Sequence, residues 1–442
     1  MIGSLVHRGA PMLVVSLLLN LGAVHVLTVQ RGYLLPEAML ATVQAWLLAS
    51  GNIIGFAALA DAQPPLPALL LLPAALLPAP AHAATAAAIS GAVAGAAACA
   101  LLHLILATLG VRPGWRYPAV ALVAANPILI VRSAMGAPEV VSAAFMLLSI
   151  YLFTLWDRYQ ADHPTLGLIA LISSAFAAGL APLARYESVA YALIMPALIA
   201  YRARRVESGK PDRTLAHIIT FIVPVVWLLG TRVGVELLVP DDLSPAIGVR
   251  PPTTTHPLPA SLPSGSPTAW ALPVLGLPGV SLLVVSIRRA LQPGRWRTLM
   301  AAAAILLLAL ADIGSASSVW AWIRNDPAAG RWAEEQQIAD YVTTNAGTHR
   351  VLLDDWDGYR VIFLAGRSSY FLLPGDSGYV AALQEPQGRV DYILVRMPDL
   401  RGKGPIEELH PGLYGLGRSW TTMEVDQPGA GWRLYRVLDS DQ

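Results

Sequence analysis

The chain is short of charge and nearly empty of cysteine. Charged residues occupy 13% of its 442 positions, about half of the roughly 25% that a soluble domain carries. So few charges exclude an ordinary water-soluble protein of this length. The one cysteine, Cys99, sits in an Ala-rich apolar run, which excludes an intrachain disulfide and any cysteine-based metal cluster. Neither sign of charge dominates. Thirty Lys and Arg against 29 Asp and Glu leave a net charge of +1, so composition gives no case for nucleic acid as a partner. No Gly-rich phosphate loop is present. No small-residue cleavage site follows the first apolar run, which therefore reads as a retained helix rather than a signal peptide.

What the chain has instead is apolar residue and helix-breaking residue. It is 55% hydrophobic with mean hydropathy +0.54, and it holds 36 Gly and 35 Pro, both better tolerated in membrane helices than in soluble ones. The expected fold class is an α-helical polytopic membrane protein of about nine to eleven transmembrane helices, with a small C-terminal extracytoplasmic α/β domain. Spans are expected over 11–29, about 84–109, 118–133, 139–156, 165–183, 187–201, 214–238, 269–287 and 298–315. Residues 30–63 are too polar to span, although Met39–Leu48 could form a helix lying on the membrane. The prolines of Gln63-Pro-Pro-Leu-Pro67 break any helix, and the Pro-rich 65–81 reads as re-entrant or lying along the surface.

Positive charge sets the orientation. Arg202, Arg204, Arg205, Lys210 and Arg213 make one basic loop, and the four arginines of 288–297 another. Both are expected in the cytoplasm, together with Arg112, Arg116 and the N-terminus. Parity then puts Glu37, Asp61, Gln63, Glu139, Arg185 and Glu187 on the outer face of the membrane. Ionisable groups at membrane depth are tolerated where they pair or line a polar cavity, so an outward-facing site built from several loops is expected. For Arg185 and Glu187 the plainer alternative is a snorkelling pair marking the membrane surface. For Arg132 it is a simple interface anchor. Loop 239–268, rich in Pro, Thr and Ser, reads either as an inert linker or as a loop that orders on a ligand.

The chain divides at about 318. Residues 1–318 form the membrane part and 319–442 an α/β domain. In that domain 331–342 reads as an amphipathic helix, and strands are expected at 350–354, 369–373, 390–395 and 432–437. Asp354, Asp355 and Asp357 read as the polar end of a strand rather than as a metal site.

In this order the motifs resemble those of the GT-C class of polytopic membrane glycosyltransferases, a superfamily that includes the protein O-mannosyltransferases and the aminoarabinose lipid A transferases. The similarity covers most of the chain. It rests on an N-terminal helix followed by an outer loop with an acid, on Gln63-Pro-Pro-Leu66, on Asn126-Pro127 with Ala137-Pro-Glu139, on Ala184-Arg-Tyr-Glu187, and on the C-terminal domain with Asp391-Tyr-Ile-Leu-Val395 and Trp432-Arg-Leu-Tyr435. The chain departs from the pattern in two places. The first outer loop carries Glu37 where an Asp is usual, and Gln63 stands where many members have a basic residue.

The resemblance implies transfer of a sugar from a polyprenyl-phosphate donor, held in the lipid bilayer, to a glycan, lipid or protein acceptor on the outer face of a bacterial plasma membrane. Such a reaction needs a carboxylate to take the acceptor's proton; Glu37 is the first candidate and Asp61 the second. The leaving phosphate needs bidentate cationic donors, for which Arg185 comes first, then Arg132, with Gln63 as a neutral donor. Glu187 and Glu139 would support them. A helix N-terminal acid after Pro36 is the plainer account of Glu37. A divalent cation is used by some relatives, and Glu37, Asp61 and Glu139 could supply oxygen ligands. The alternative to an enzyme is a non-catalytic membrane scaffold or lipid-binding accessory subunit of the same architecture.

Overall fold

The computed structural model describes residues 2–49, 64–77, 80–206, 211–238, 328–347, 350–353, 358–373, 376, 378–398, 404–427 and 429–438. Asp61, Gln63, Asp354, Asp355 and Asp357 lie outside the described residues, as do the proposed linker 239–268, the expected spans 269–287 and 298–315, and the division at 318.

The membrane part is a bundle of helices. They are α1 (Ile2–Val24, continued by a π-helical turn His25–Gln30), α2 (Pro36–Ala49), α3 (Leu66–Ala75), α4 (Pro80–Thr108), α5 (Pro113–Ala125), α6 (Pro127–Ala134), α7 (Pro138–Tyr159), α8 (Pro164–Ala184), α9 (Val189–Val206) and α10 (Pro211–Leu238). Among the described residues five segments are long and apolar enough to cross a membrane: Gly9–Gln30, Thr85–Thr108, Pro138–Tyr159, Pro164–Ala184 and Asp212–Thr231. Side chains such as Leu18, Ile169, Val226 and Trp227 point outward from these helices with much of their surface uncovered. A belt of that kind has no place in water.

Several expectations change in detail. The span expected over 118–133 is a bent pair, α5 and α6, with 54° between their axes. The break is local chemistry. Pro127 cannot continue the preceding hydrogen-bond ladder, and the Asn126 side chain accepts from the Leu129 amide at 3.0 Å, capping the new helix. The span expected over 187–201 is the helix α9, but its last turns carry Arg202, Arg204 and Arg205, so it is not among the five. Helix α3 has 10 residues, about 15 Å and half the hydrocarbon thickness. Helix α2 differs most from expectation. Rather than lying on a membrane surface, it has Ala38–Ala45 buried by protein on all sides.

Small residues let the spanning helices approach closely. Between α7 and α8, Ser149 Oγ meets Ser174 Oγ at 3.0 Å and Ser174 Oγ donates to the Ser149 carbonyl at 2.8 Å. Ser142 Oγ donates to the Ala181 carbonyl at 3.1 Å. Between α4 and α6 the contact is tighter still. A Cβ at Gly91 would lie 2.3 Å from the Ser133 carbonyl oxygen.

The C-terminal domain holds α11 (Ala328–Asn345), β1 (Val351–Leu353), α12 (Tyr359–Ala365), β2 (Phe371–Leu372), α13 (Tyr379–Gln384), β3 (Tyr392–Arg396), α14 (Pro405–Leu409), α15 (Leu413–Leu416), β4 (Thr421–Gln427) and β5 (Trp432–Val437). The sheet order is β2-β1-β3-β5-β4, with β2, β1 and β3 parallel and β5 and β4 antiparallel. The four expected strands are there. The fifth, β4, was not expected, because its partly exposed edge carries no run of apolar residues. One face of the sheet is covered by α11 and α12, the other by α13, α14 and α15. Val43 and Leu47 of α2 belong to the first of these cores, so the two parts of the chain share buried surface.

Gly91→Ala is expected to cost about 1–3 kcal/mol, since the new methyl meets backbone that cannot yield. Gly22→Ala, where nothing lies within 4 Å of the added Cβ, is the control. Thermal unfolding in detergent should show a lower midpoint for the first and no loss for the second.

Candidate functional site

The site is built from one tight turn and what is tied to it. Gly136 joins α6 to α7 at φ +74, and a Cβ there would come within 3.0 Å of the Ala87 carbonyl and of Ala38. Only glycine combines that backbone conformation with that closeness. The turn brings Arg132, in the last turn of α6, beside Glu139, in the first turn of α7. Thr28 Oγ1 donates to the Ala134 carbonyl at 2.7 Å, and the Leu35 amide to the Met135 carbonyl at 3.2 Å. These bonds pin the chain that enters α2, and so they fix Glu37 in that helix's first turn.

Arg185 arrives from another direction. It caps the C-terminus of α8 in extended conformation, before the 3-10 turn Tyr186–Ser188. Its Nη1 lies 2.9 Å from Glu139 Oε2 and its Nε 3.1 Å from Glu187 Oε2. Arg132 Nη1 pairs with the other Glu139 oxygen, Oε1. Glu139 is 6% exposed and Glu187 55%, so the buried carboxylate between the two guanidiniums is Glu139, and Glu187 is the outer partner of Arg185.

Glu37 completes the group. It is half-buried and lies within electrostatic reach of Glu139, Arg132 and Arg185. Burial raises its carboxyl above the ordinary glutamate value and the Glu139 charge pushes the same way, while Arg132 and Arg185 pull against them. Its Oε2 is buried and has no hydrogen-bond partner among the described residues.

Five of the seven candidate residues therefore come together: Glu37, Arg132, Glu139, Arg185 and Glu187. Asp61 and Gln63 lie outside the described residues. Among the described residues no three His, Cys, Asp or Glu side chains are grouped to hold a metal ion. Sequence reasoning did not find the contribution of the C-terminal domain. Tyr359 and Phe363 of α12 pack on the core that includes Leu35, Ala38 and Met39, and Phe363 stacks on Trp46 with ring centroids 6.1 Å apart. The Tyr359-x-x-x-Phe363 spacing, one aromatic face of a short helix, was the available signal.

Compared with family models, with curated proteins and with solved structures, the chain gives no match.

The ion cluster generates a stability prediction. Glu139→Gln leaves two guanidiniums without their buried counter-charge and should destabilise the protein by about 3–5 kcal/mol. Glu187→Gln removes an exposed partner and should cost under about 1 kcal/mol. Unfolding midpoints of the two variants in one detergent compare them directly. Equal midpoints would mean that the cluster does not hold the helices together.

Proposed function

We propose that this chain is a membrane glycosyltransferase that moves a sugar from a polyprenyl-phosphate donor to an acceptor at the outer face of the plasma membrane. One observation carries the reading: a carboxylate with an unpartnered buried oxygen, Glu37, beside two arginines, Arg132 and Arg185, at one end of the helical bundle. The motif order given above is the second support.

In this reading Glu37 is the general base. It takes the acceptor hydroxyl's proton as the oxygen attacks the anomeric carbon, and the bond from that carbon to the donor phosphate breaks. Burial holds the carboxyl above the ordinary glutamate range, which suits a base that must bind a proton during the reaction. The arginines receive the phosphate. Each guanidinium has five N–H donors, and the ion pairs described take one from Arg132 and two from Arg185, so both retain donors for an oxyanion. Asp61 and Gln63 are proposed as further donor-side residues from the sequence pattern.

Helix length supports the outward orientation expected from the basic loops. Glu139 lies at one end of α7. At the other end Asp157 pairs with Arg202 at 2.5 Å, beside the basic segment expected in the cytoplasm. Eighteen residues at about 1.5 Å each separate the two acids by about 27 Å, close to the hydrocarbon thickness. The Glu37 cluster then faces outward.

A second reading has a specific observation behind it. Glu139 is satisfied by two arginines at once, which is how a purely structural clamp in a non-catalytic scaffold would look.

Transfer from a radiolabelled polyprenyl-phosphate sugar, measured in membranes, separates the two. The expected outcome is activity in the wild type and a loss of about 10²–10⁴-fold in Glu37→Gln. Arg185→Ala should weaken donor use through a higher KM for the labelled lipid. The wild-type rate should rise with pH through a midpoint above the ordinary glutamate value, because the base acts only when deprotonated. Wild-type membranes that transfer nothing across several sugars and acceptors would favour the scaffold.

A further inference from the structure

Asn20 is a carboxamide set in the middle of a membrane span. It lies about 15 Å from either end of Gly9–Gln30, and it is 2% exposed. Its Nδ2 donates to the Ser16 carbonyl one turn back at 2.8 Å, and Ser16 is buried on the same face of α1. Across the interface α4 presents Gly95, near the middle of its own span Thr85–Thr108. A Cβ at residue 95 would stand 2.4 Å from Ser133 Oγ of α6 and 3.5 Å from Asn20 Nδ2. The Asn20 and Ser133 side chains therefore come within about 6 Å of each other, a gap that one bridging water closes with two hydrogen bonds.

Hydrogen-bond accounting describes the occupant. Ser16 Oγ, Asn20 Oδ1 and Ser133 Oγ are buried, and none has a hydrogen-bond partner among the described residues. The surrounding hydrocarbon supplies no partner at this depth, and a buried polar atom is costly until it is paired. The unused groups are of both kinds. Each serine keeps an O–H donor and its acceptor lone pairs, and Asn20 keeps its carbonyl oxygen and its second N–H. All three residues are neutral. A metal cation would use the oxygens alone and would bring a charge to the middle of the membrane. An anion would use the donors alone at a similar cost. The ligand that matches is small, neutral and able to donate and accept at once.

We propose that Asn20, Ser133 and Ser16 form a buried water-binding site where α1, α4 and α6 meet, with Gly95 leaving the space. The water bridges the Asn20 carboxamide to the Ser133 hydroxyl, and Ser16 Oγ extends the polar wall along α1. Helix α6 has 8 residues and meets α5 at a 54° bend, so little of its own length holds it in place. Water at its back ties it to two spanning helices, one residue from Arg132 and the ion cluster. The site does not rest on the transferase reading.

Full-length protein carrying isotope-labelled asparagine, reconstituted in liposomes, tests this by water-edited solid-state NMR. The chain has five asparagines, and the side-chain signal missing from Asn20→Leu identifies Asn20. Magnetisation should pass from water to the Asn20 carboxamide at short mixing times despite its depth. In Ser133→Ala that transfer should fall at least about twofold, since the water loses a partner. Thermal unfolding in detergent adds an arm that reads by sign. In a dry site Ser133→Ala deletes an unpaired hydroxyl and leaves the midpoint unchanged or raised. In a hydrated site it takes a partner from the water and lowers the midpoint by about 2 °C. Ser16→Ala should move both readouts the same way and by less. Three results each overturn the inference: no transfer to Asn20 in the wild type, transfer that Ser133→Ala leaves unchanged, or a midpoint that Ser133→Ala does not lower.

Discussion

The rest of the structure depends on the way Glu139 is held between Arg132 and Arg185. Three ions near a membrane boundary carry a large desolvation cost, which only close geometry can offset. That geometry joins three helices. Arg132 ends α6, Glu139 begins α7 and Arg185 ends α8. Below the cluster, the Ala- and Gly-rich face of α8 packs against larger side chains of α7 such as Met146, Leu147 and Ile150, with the Ser149–Ser174 and Ser142–Ala181 hydrogen bonds between the two helices. The ion cluster adds a charged tie at the end of a seam whose register those bonds already help to set. It also sits on the Gly136 turn, so the same constraint that aligns the helices also presents the charged groups at the bundle's end.

Helix α2 transmits that constraint to the other domain. Its N-terminus is fixed by bonds from Thr28 and Leu35 to the turn after α6, and its C-terminal half enters the core of the sheet domain through Val43 and Leu47. With its two buried polar residues and its apolar ones, α2 is covered from both sides. The sheet domain therefore docks against an element whose position is set by the membrane site. Glu37 lies at the junction and senses both.

Much of this was legible in the sequence. The scarcity of charge and the long apolar runs gave the membrane class, and the apolar segments gave most of the helices described. Glu37, Glu139, Arg185 and Glu187 were singled out because ionisable residues at membrane depth call for a reason, and Arg132 because it lies near a span's end. What could not be read was which of them pair. Arg132 and Glu139 are seven residues apart across a turn whose shape depends on a left-handed glycine, and Arg185 reaches Glu139 only after α7 and α8 have paired. The Asn126-Pro127 break was visible as a motif but not as a bend, since a proline within an apolar run can also be carried by a continuous span. Strand β4 was hidden because an edge strand needs no apolar pattern, and the burial of α2 because its second cover is encoded some three hundred residues later.

The same geometry divides the acids by what they can do. An acid whose two oxygens each accept from a guanidinium can take a proton only at the expense of those ion pairs; that is Glu139. Glu187 is exposed and pairs with Arg185 at the outer edge of the cluster. Glu37 alone among the three has a buried, unpartnered oxygen and a carboxyl raised by burial. Neighbouring carboxylates given different environments take different roles, and here the difference arises from backbone placement. Pro138 starts α7 one residue before Glu139 and points it into the arginines. Pro36 starts α2 one residue before Glu37 and leaves it beside them. Two Pro-Glu helix starts of the same local design thus yield one structural acid and one chemically open acid, and the difference between them lies in which of the two the tertiary fold brings into ion-pair distance of Arg132 and Arg185.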